Sequence, residues 1–253
     1  MNAPRRLLLI NPNTTEAVTH FMADHLRAAS PAAAQWTAVT AAFGAPYIAC
    51  EASHAVAGHA VLDAWQAALG ERDPANAFDA VLIGCFGDPG LFALRECSAV
   101  PVTGLAEAAF IEAARQGPFA VVTGGQRWKP MLQRLAQSLG FGPQLVHIET
   151  VVPSGAVLRA DPVLAEQVLG SAVEVAQRSG ARSVIVGGAG LAGLAARLQP
   201  RAEVPLIDSV EAGARVLLER TFRAEPGSAL NHDTQERLAL VRSCTTTVRR
   251  QST

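Results

Sequence analysis

Ala80-Val81-Leu82-Ile83-Gly84-Cys85-Phe86-Gly87 and Ser183-Val184-Ile185-Val186-Gly187-Gly188-Ala189-Gly190 are one pattern written twice. Each is a short, near-continuous apolar run that stops at a glycine-bearing loop. Such runs mark strands buried on both faces of a parallel sheet, where alternation with polar residues is not needed. The downstream segments repeat as well. The first block reaches Val100-Pro101-Val102-Thr103-Gly104-Leu105-Ala106-Glu107-Ala108, and the second reaches Val204-Pro205-Leu206-Ile207-Asp208-Ser209-Val210-Glu211-Ala212. The blocks are offset by 103 positions at Gly84 and Gly187 and by 104 at Glu107 and Glu211. A third pairing sets Leu7–Ile10, with Asn11-Pro12-Asn13-Thr14-Thr15, against Phe119–Val122, with Thr123-Gly124-Gly125-Gln126.

Working outward from these blocks, six strands are expected: Leu7–Ile10, Ala80–Ile83, Pro101–Thr103, Phe119–Thr123, Ser183–Val186 and Pro205–Ile207. Helical stretches lie between and after them, at Glu16–Ala28, His54–Leu69, Leu105–Arg115, Lys129–Leu139, Pro162–Ser179 and Val210–Phe222. The alternation predicts a doubly wound α/β fold. The repeat predicts two similar Rossmann-like lobes with parallel sheets, related by a pseudo-twofold axis. The expected first lobe is residues 1–104 plus about 209–253, and the second is 105–208. Ligands of open α/β sheets bind outside the carboxyl ends of the strands. An active site is therefore expected in the interlobe cleft, among the loops Asn11–Thr15, Gly84–Pro89, Thr123–Gln126 and Gly187–Gly190. The loop Phe43-Gly44-Ala45-Pro46-Tyr47-Ile48 is expected to shape the pocket, and its side chains suit an apolar substituent.

Bulk properties narrow the function. Among 253 residues, 49% are hydrophobic and 17% charged, which fits a compact globular chain. A net charge of −1 carries no electrostatic footprint of a nucleic-acid binder. The longest apolar runs are far too short to span a bilayer, and no signal-peptide pattern follows Arg5 and Arg6, so no membrane partner and a cytoplasmic location are expected. Cys50, Cys85, Cys97 and Cys244 are scattered and form no C-x-x-C pair, which argues against a metal site or a disulfide framework. The tail after Glu225, basic at Arg242, Arg249 and Arg250, reads as a frayed end or an oligomer contact.

Cys85 is the first candidate for chemistry. Asp88-Pro89 reads as the cap and first-turn proline of a helix, which would set Cys85 near a helix N-terminus and favour its thiolate. A thiol tuned in this way can take or give a proton near neutral pH. The plainer account is a small, buried strand-end residue. In Asn11–Thr15, Thr14 or Thr15 is expected to cap the next helix, and Asn13 offers amide donors to a carboxylate or imide oxygen. Gly188-Ala189-Gly190-Leu191-Ala192-Gly193 also matches G-x-G-x-x-G, with Asp208 about twenty residues on, so a nucleotide-binding oxidoreductase is a rival. His54 and His59, five apart, lie on different helix faces and are unsuited to joint metal ligation.

With these motifs in order, the chain resembles the aspartate/glutamate/hydantoin racemase superfamily, and its hydantoin and allantoin racemase branch most closely. The carriers are Ile10-Asn11-Pro12-Asn13-Thr14, Gly84-Cys85-Phe86-Gly87-Asp88-Pro89-Gly90-Leu91, Val121-Val122-Thr123, Gly187-Gly188-Ala189-Gly190 and Val204-Pro205-Leu206-Ile207-Asp208. The resemblance implies an enzyme with no cofactor and no metal, acting on a small carboxylate or hydantoin-like substrate, and a homo-oligomer. It implies one cysteine from each lobe on opposite faces of a carbon acid, with loop amides holding the developing enolate. Asn13, Phe86 and Thr123 match its substrate contacts, and Pro12, Thr14, Ile48, Gly124, Gly188 and Ala189 are expected beside them.

One position departs from the pattern. The second-lobe cysteine of the resembling proteins is replaced here by Gly188, whereas the first is kept as Cys85. Three outcomes are compatible with a single thiol. Cys85 could serve one face while another group (Cys50, Glu51 and His54 are the nearby candidates) or water serves the other. Cys85 could act alone, as in an arylmalonate-type decarboxylase. Or the protein could bind a small metabolite without turnover.

Overall fold

The computed structural model describes residues 4–70 and 77–223. It contains two four-stranded sheets, each parallel throughout. The first is built from β1 (Arg5–Asn11), β2 (Ala34–Thr40), β3 (Ala80–Ile83) and β4 (Val102–Gly104), in the order β2-β1-β3-β4. The second is built from β5 (Phe119–Gly124), β6 (Leu145–Val151), β7 (Ser183–Gly187) and β8 (Leu206–Asp208), in the order β6-β5-β7-β8. The same order in both sheets is the sequence repeat expressed as topology.

Helices α1 (Glu16–Ala28), α2 (Glu51–Leu69), α3 (Leu91–Cys97) and α4 (Leu105–Ala114) belong to the first half of the chain. The second half supplies α5 (Trp128–Ser138), α6 (Gly155–Ala160), α7 (Pro162–Gln177), α8 (Leu194–Leu198) and α9 (Ser209–Arg223). All six expected strands form, with ends within two residues of expectation. The edge strands β2 and β6 are additional to them. Both are half exposed and mix polar with apolar residues, so they lack the apolar run that marks a central strand. Helix α2 starts three residues earlier than His54. Its N-cap is Cys50, in a reciprocal capping box with Ser53, and a cysteine at that place is outside the usual Ser/Thr signature.

Side-chain alternation along the strands splits the core into layers. Leu7, Leu9 and Leu82 of the first sheet join Phe119, Val121 and Ile185 of the second in one cluster that also holds Phe110 of α4 and Leu217 of α9. Leu8, Ile10, Val81 and Ile83 face the other way, onto Trp65 of α2. Ala120, Val122, Val184 and Val186 do the same against α7 and its Leu169. The two halves exchange helices at the shared layer. Helix α4, which leaves β4, packs on β7, and α9, which leaves β8, packs on β3. The two helices also pack on each other, tied by Arg215 to Glu112 at 2.6 Å and by Arg115 to Glu219 at 2.5 Å.

Candidate active site

Between the carboxyl ends of the two sheets lies a cavity of about 110 Å³. Asn13, Ile48, Cys85, Phe86, Thr123, Gly124, Gly188 and Ala189 line it, so eight expected site residues come together. Pro12 and Thr14 do not line it. Pro12 is buried behind the loop, and the Thr14 N–H donates to the Ala45 carbonyl at 3.2 Å. Residues not singled out from the sequence also line the cavity, among them Val18, Trp128, Gly155, Arg159 and Leu191.

The first-sheet loop is held by its own amides. Asn11 is fully buried, and its Nδ2 donates to Asn13 Oδ1 (3.1 Å), to the Thr15 carbonyl (3.2 Å) and to Thr19 Oγ1 (2.9 Å). The Thr15 N–H also donates to Asn13 Oδ1, at 2.9 Å. Because a backbone N–H fixes which end of the Asn13 amide is oxygen, its Nδ2 is left as a donor at the cavity wall. Thr15 occupies the N-cap of α1 but makes no side-chain cap, contrary to expectation. Its hydroxyl instead donates to the Pro46 carbonyl at 2.8 Å. Together with Thr14, this bond stitches the 43–48 loop onto the site and brings in Tyr47 and Ile48. The Tyr47 hydroxyl then accepts from the Gly155 N–H at 2.8 Å, so the loop reaches across to the second half of the chain.

Thr123, the penultimate residue of β5, has its chemistry reversed relative to Asn13. Its hydroxyl donates to the Gly187 carbonyl at 2.7 Å, which leaves oxygen lone pairs as acceptors. The cavity thus offers a donor from one sheet and an acceptor from the other. Phe86 leans onto the second sheet, and any Cβ at Gly187 would overlap its ring. Gly124 is similarly forced, since a Cβ there would stand 2.8 Å from Leu158 Cδ1 and from the Pro153 carbonyl.

Cys85 is 8% exposed, at the end of β3. The helix N-terminus expected to favour its thiolate is not beside it. Asp88 has φ +49° and caps nothing local, and α3 begins only at Leu91, after Gly90 in the left-handed region. The Asp88 carboxylate instead accepts from the N–H groups of Ala106 (2.9 Å) and Glu107 (2.7 Å), so it caps α4 from a distance. Burial, with the Asp88 carboxylate adding to it, pushes the Cys85 thiol far up from its ordinary value. Burial also raises the Asp88 carboxyl, to about 7, against the pull of its two N–H donors. The thiol is therefore held neutral, the opposite of the sequence expectation.

The second half reaches a related arrangement by exchanging positions. Leu191 stands where Asp88 stands in the first half, and Asp208 stands where Gly104 does. Asp208 caps its own helix through the N–H groups of Val210 (2.8 Å) and Glu211 (3.2 Å), and reaches back to the Gly193 N–H at 2.6 Å. Conversely, a Cβ at Gly104 would overlap the Asp88 carboxylate. This use of Asp208 also disposes of the nucleotide fingerprint. The acid expected to meet a ribose is occupied by backbone donors, and the glycine loop leads into a 3-10 turn and the five-residue α8 rather than a long helix.

Cys50, Glu51 and His54, named as partners for Cys85, are not in the cavity wall. Cys50 is held by Ser53, Glu51 pairs with Arg134 at 2.8 Å, and His54 Nε2 donates to the Gly87 carbonyl at 2.8 Å. Cys97 is buried, with its Sγ donating to the Ala93 carbonyl at 3.0 Å. Cys244 and the basic tail lie outside the described residues. Among the described residues no group of three or more His, Cys, Asp or Glu could hold a metal ion, and no helix is long and apolar enough to cross a membrane.

Asp88→Asn tests the control of the thiol. Removing the negative charge removes one of the two causes that raise it, so the pH midpoint for alkylation of Cys85 by iodoacetamide should move down. Part of the α4 cap is lost as well, at a cost of about 1–3 kcal/mol in a urea melt. An unmoved midpoint would show that Asp88 does not act on the sulfur.

The model of the Asp/Glu/Hydantoin racemase family matches residues 7–217. A hydantoin racemase of Paenarthrobacter aurescens is 32% identical over 213 residues, covering 83% of this chain and 89% of that protein. A hydantoin racemase of Pseudomonas sp. (strain NS671) is 32% identical and covers 83% of each chain. The structure of allantoin racemase from Klebsiella pneumoniae superposes with a TM-score of 0.81 at 27% identity, over 91% of this chain and 92% of that one. The chain thus belongs to the Asp/Glu/Hydantoin racemase family, in its hydantoin and allantoin racemase branch, and is a racemase-type enzyme.

Proposed function

We propose that the protein moves a proton at the carbon acid of a small hydantoin, amino acid or related carboxylate, without a cofactor, using the Cys85 thiol as acid and base. The observation that carries this is the cavity wall itself: one sheet contributes the sulfur of Cys85, and the equivalent strand end of the other contributes Gly188, which has no side chain. The donor of Asn13 and the acceptor of Thr123 support a ring that presents both a carbonyl and an N–H. Such contacts hold the substrate and spread the charge of the enolate as it develops.

One thiol serves one face. If Cys85 removes the α-proton and returns a solvent proton from the same side, exchange outruns inversion. In D2O, the α-proton of a single-enantiomer hydantoin should be lost to deuterium at least about tenfold faster than optical rotation decays. Equal rates would require a second acid or base on the far face and would overturn this account.

The neutral state of the thiol favours a second chemistry. A protonated thiol is a proton donor first, which suits protonation of a carbanion left when a substituted malonate loses carbon dioxide. The two chemistries differ in pH dependence. Deprotonation of substrate needs the thiolate, and the raised thiol makes that fraction grow with pH, so exchange should climb about tenfold per pH unit from about pH 6 to 9. Decarboxylation needs the thiol and should stay flat over the same range. Carbon dioxide release from substituted malonates, followed beside exchange from hydantoins, separates them.

A further inference from the structure

Among the described residues, Arg159 is the one full positive charge in the cavity wall, and neither the resemblance nor the sequence pattern points to it. It lies on α6, in the second half of the chain. Its stem packs against the loop after β7, with Cβ and Cδ 3.4 Å from where a Cβ on Gly190 would stand. Its guanidinium carbon lies 5.9 Å from the ring centroid of Phe21 on α1, within cation–π range. Arg159 thus spans the two halves at the cavity. No carboxylate lies within ion-pair distance of it among the described residues, whereas Arg95, Arg134, Arg197 and Arg215 each have one.

The rest of the wall does not offset this charge. Among the described residues, no Asp, Glu, Lys or His lines the cavity. Its other titratable groups, Cys85 and Tyr47, are both pushed up by burial and remain neutral near pH 7. A wall that is mostly apolar and carries a single fixed cation disfavours a second cation and rewards an anion. A guanidinium favours planar oxyanions, because its N–H groups match the two oxygens of a carboxylate.

We propose that Arg159 forms a carboxylate subsite, so that the carbon acid this protein takes carries a carboxylate in addition to its reacting centre. This rests on the proton-transfer chemistry proposed for Cys85 and deepens it. The carboxylate could belong to the 5-substituent of a hydantoin or to a substituted malonate. The chemistry at Arg159 is the same for both.

The test uses the full chain and an isosteric pair, 5-(2-carboxyethyl)hydantoin and its amide, 5-(2-carbamoylethyl)hydantoin. In D2O exchange, kcat/KM for the acid should exceed that for the amide by about tenfold or more, the order expected of a charge-assisted pair. Arg159→Gln should collapse the acid-to-amide ratio toward one, and Arg159→Lys should recover part of it. Equal values for acid and amide in the native protein, or a ratio that survives Arg159→Gln, would overturn the subsite. A malonate arm, reading carbon dioxide release from phenylmalonate with and without Arg159→Gln, assigns the source of the carboxylate. Calorimetric binding of the acid and the amide to Cys85→Ala keeps the two ideas separate. Acid-selective binding to Cys85→Ala that Arg159→Gln erases, together with a native protein that turns over neither compound, would sustain the subsite and remove the proton-transfer reading. Turnover without acid preference would do the reverse.

Discussion

Cys85→Ala is expected to reduce exchange at the substrate carbon by on the order of 10³-fold or more, because the sulfur is the only acid or base proposed to reach it. The fold should survive. The backbone of this loop is set without the thiol: the Cys85 carbonyl accepts the N–H groups of Gly87 (3.0 Å) and Asp88 (3.1 Å), and neither bond involves the side chain. Truncation removes one buried heavy atom, a loss of about 1 kcal/mol by analogy with other single-atom core deletions. Cys85→Ser should be nearly as inactive, since a hydroxyl is a far weaker acid than a thiol. NMR in D2O, with a thermal melt as control, reads both quantities. Persistent exchange in a folded Cys85→Ala protein would move the base elsewhere in the wall, and Tyr47 is the remaining titratable candidate besides the fixed cation.

The parts of this site that could be read from sequence are those that lie on the repeat. Strands β1, β3, β5 and β7 are buried apolar runs, and the loops that end them carry Asn13, Cys85, Thr123 and Gly188 into one cavity. The parts that could not be read come from places where the repeat breaks or the chain folds back. Tyr47 and Ile48 lie on the loop expected to shape the pocket, yet the two hydrogen bonds that hold that loop in place, to Thr14 and Thr15, leave no mark in the sequence. Trp128 and Arg159 sit on helices whose sequences resemble any amphipathic surface, and nothing local marks which turn meets the cavity. Asp88 is the instructive error. An aspartate before proline looks the same whether it caps the next helix or one eighteen residues on, and only the second is true here. That difference reverses the sign of its effect on Cys85, from a local dipole that would favour the thiolate to a buried acid that disfavours it. A signal was present in Gly104, aligned with Asp208: a cap position with no side chain needs a capping group from elsewhere.

The difference between the two halves also governs any attempt to restore a second thiol. Gly188 is not an empty cysteine site. Its φ is +149°, a backbone region that side chains rarely adopt, and a Cβ would press on Leu191 Cδ1 and Cγ at 3.1 Å. Gly188→Cys alone should therefore fold with a loss of about 1–3 kcal/mol, from backbone strain and overpacking, and should gain little inversion. Shortening the obstructing side chain changes the outcome. Leu191 is 3% exposed within the core against α7, so Leu191→Ala by itself should cost about 2–5 kcal/mol. In the double variant the new sulfur occupies part of the vacated volume, and the two losses should sum to less than their separate values. With a thiol on each side of the carbon acid, a proton removed from one face can be replaced from the other. Inversion should then rise by on the order of 10²-fold and approach the rate of exchange. Polarimetry and deuterium incorporation on the same sample measure the ratio. A folded double variant that alkylates at both sulfurs yet still exchanges without inverting would show that the cleft binds its substrate with only one face open to chemistry. In that case Gly188 is not a missing base but part of the shape that enforces a one-sided reaction.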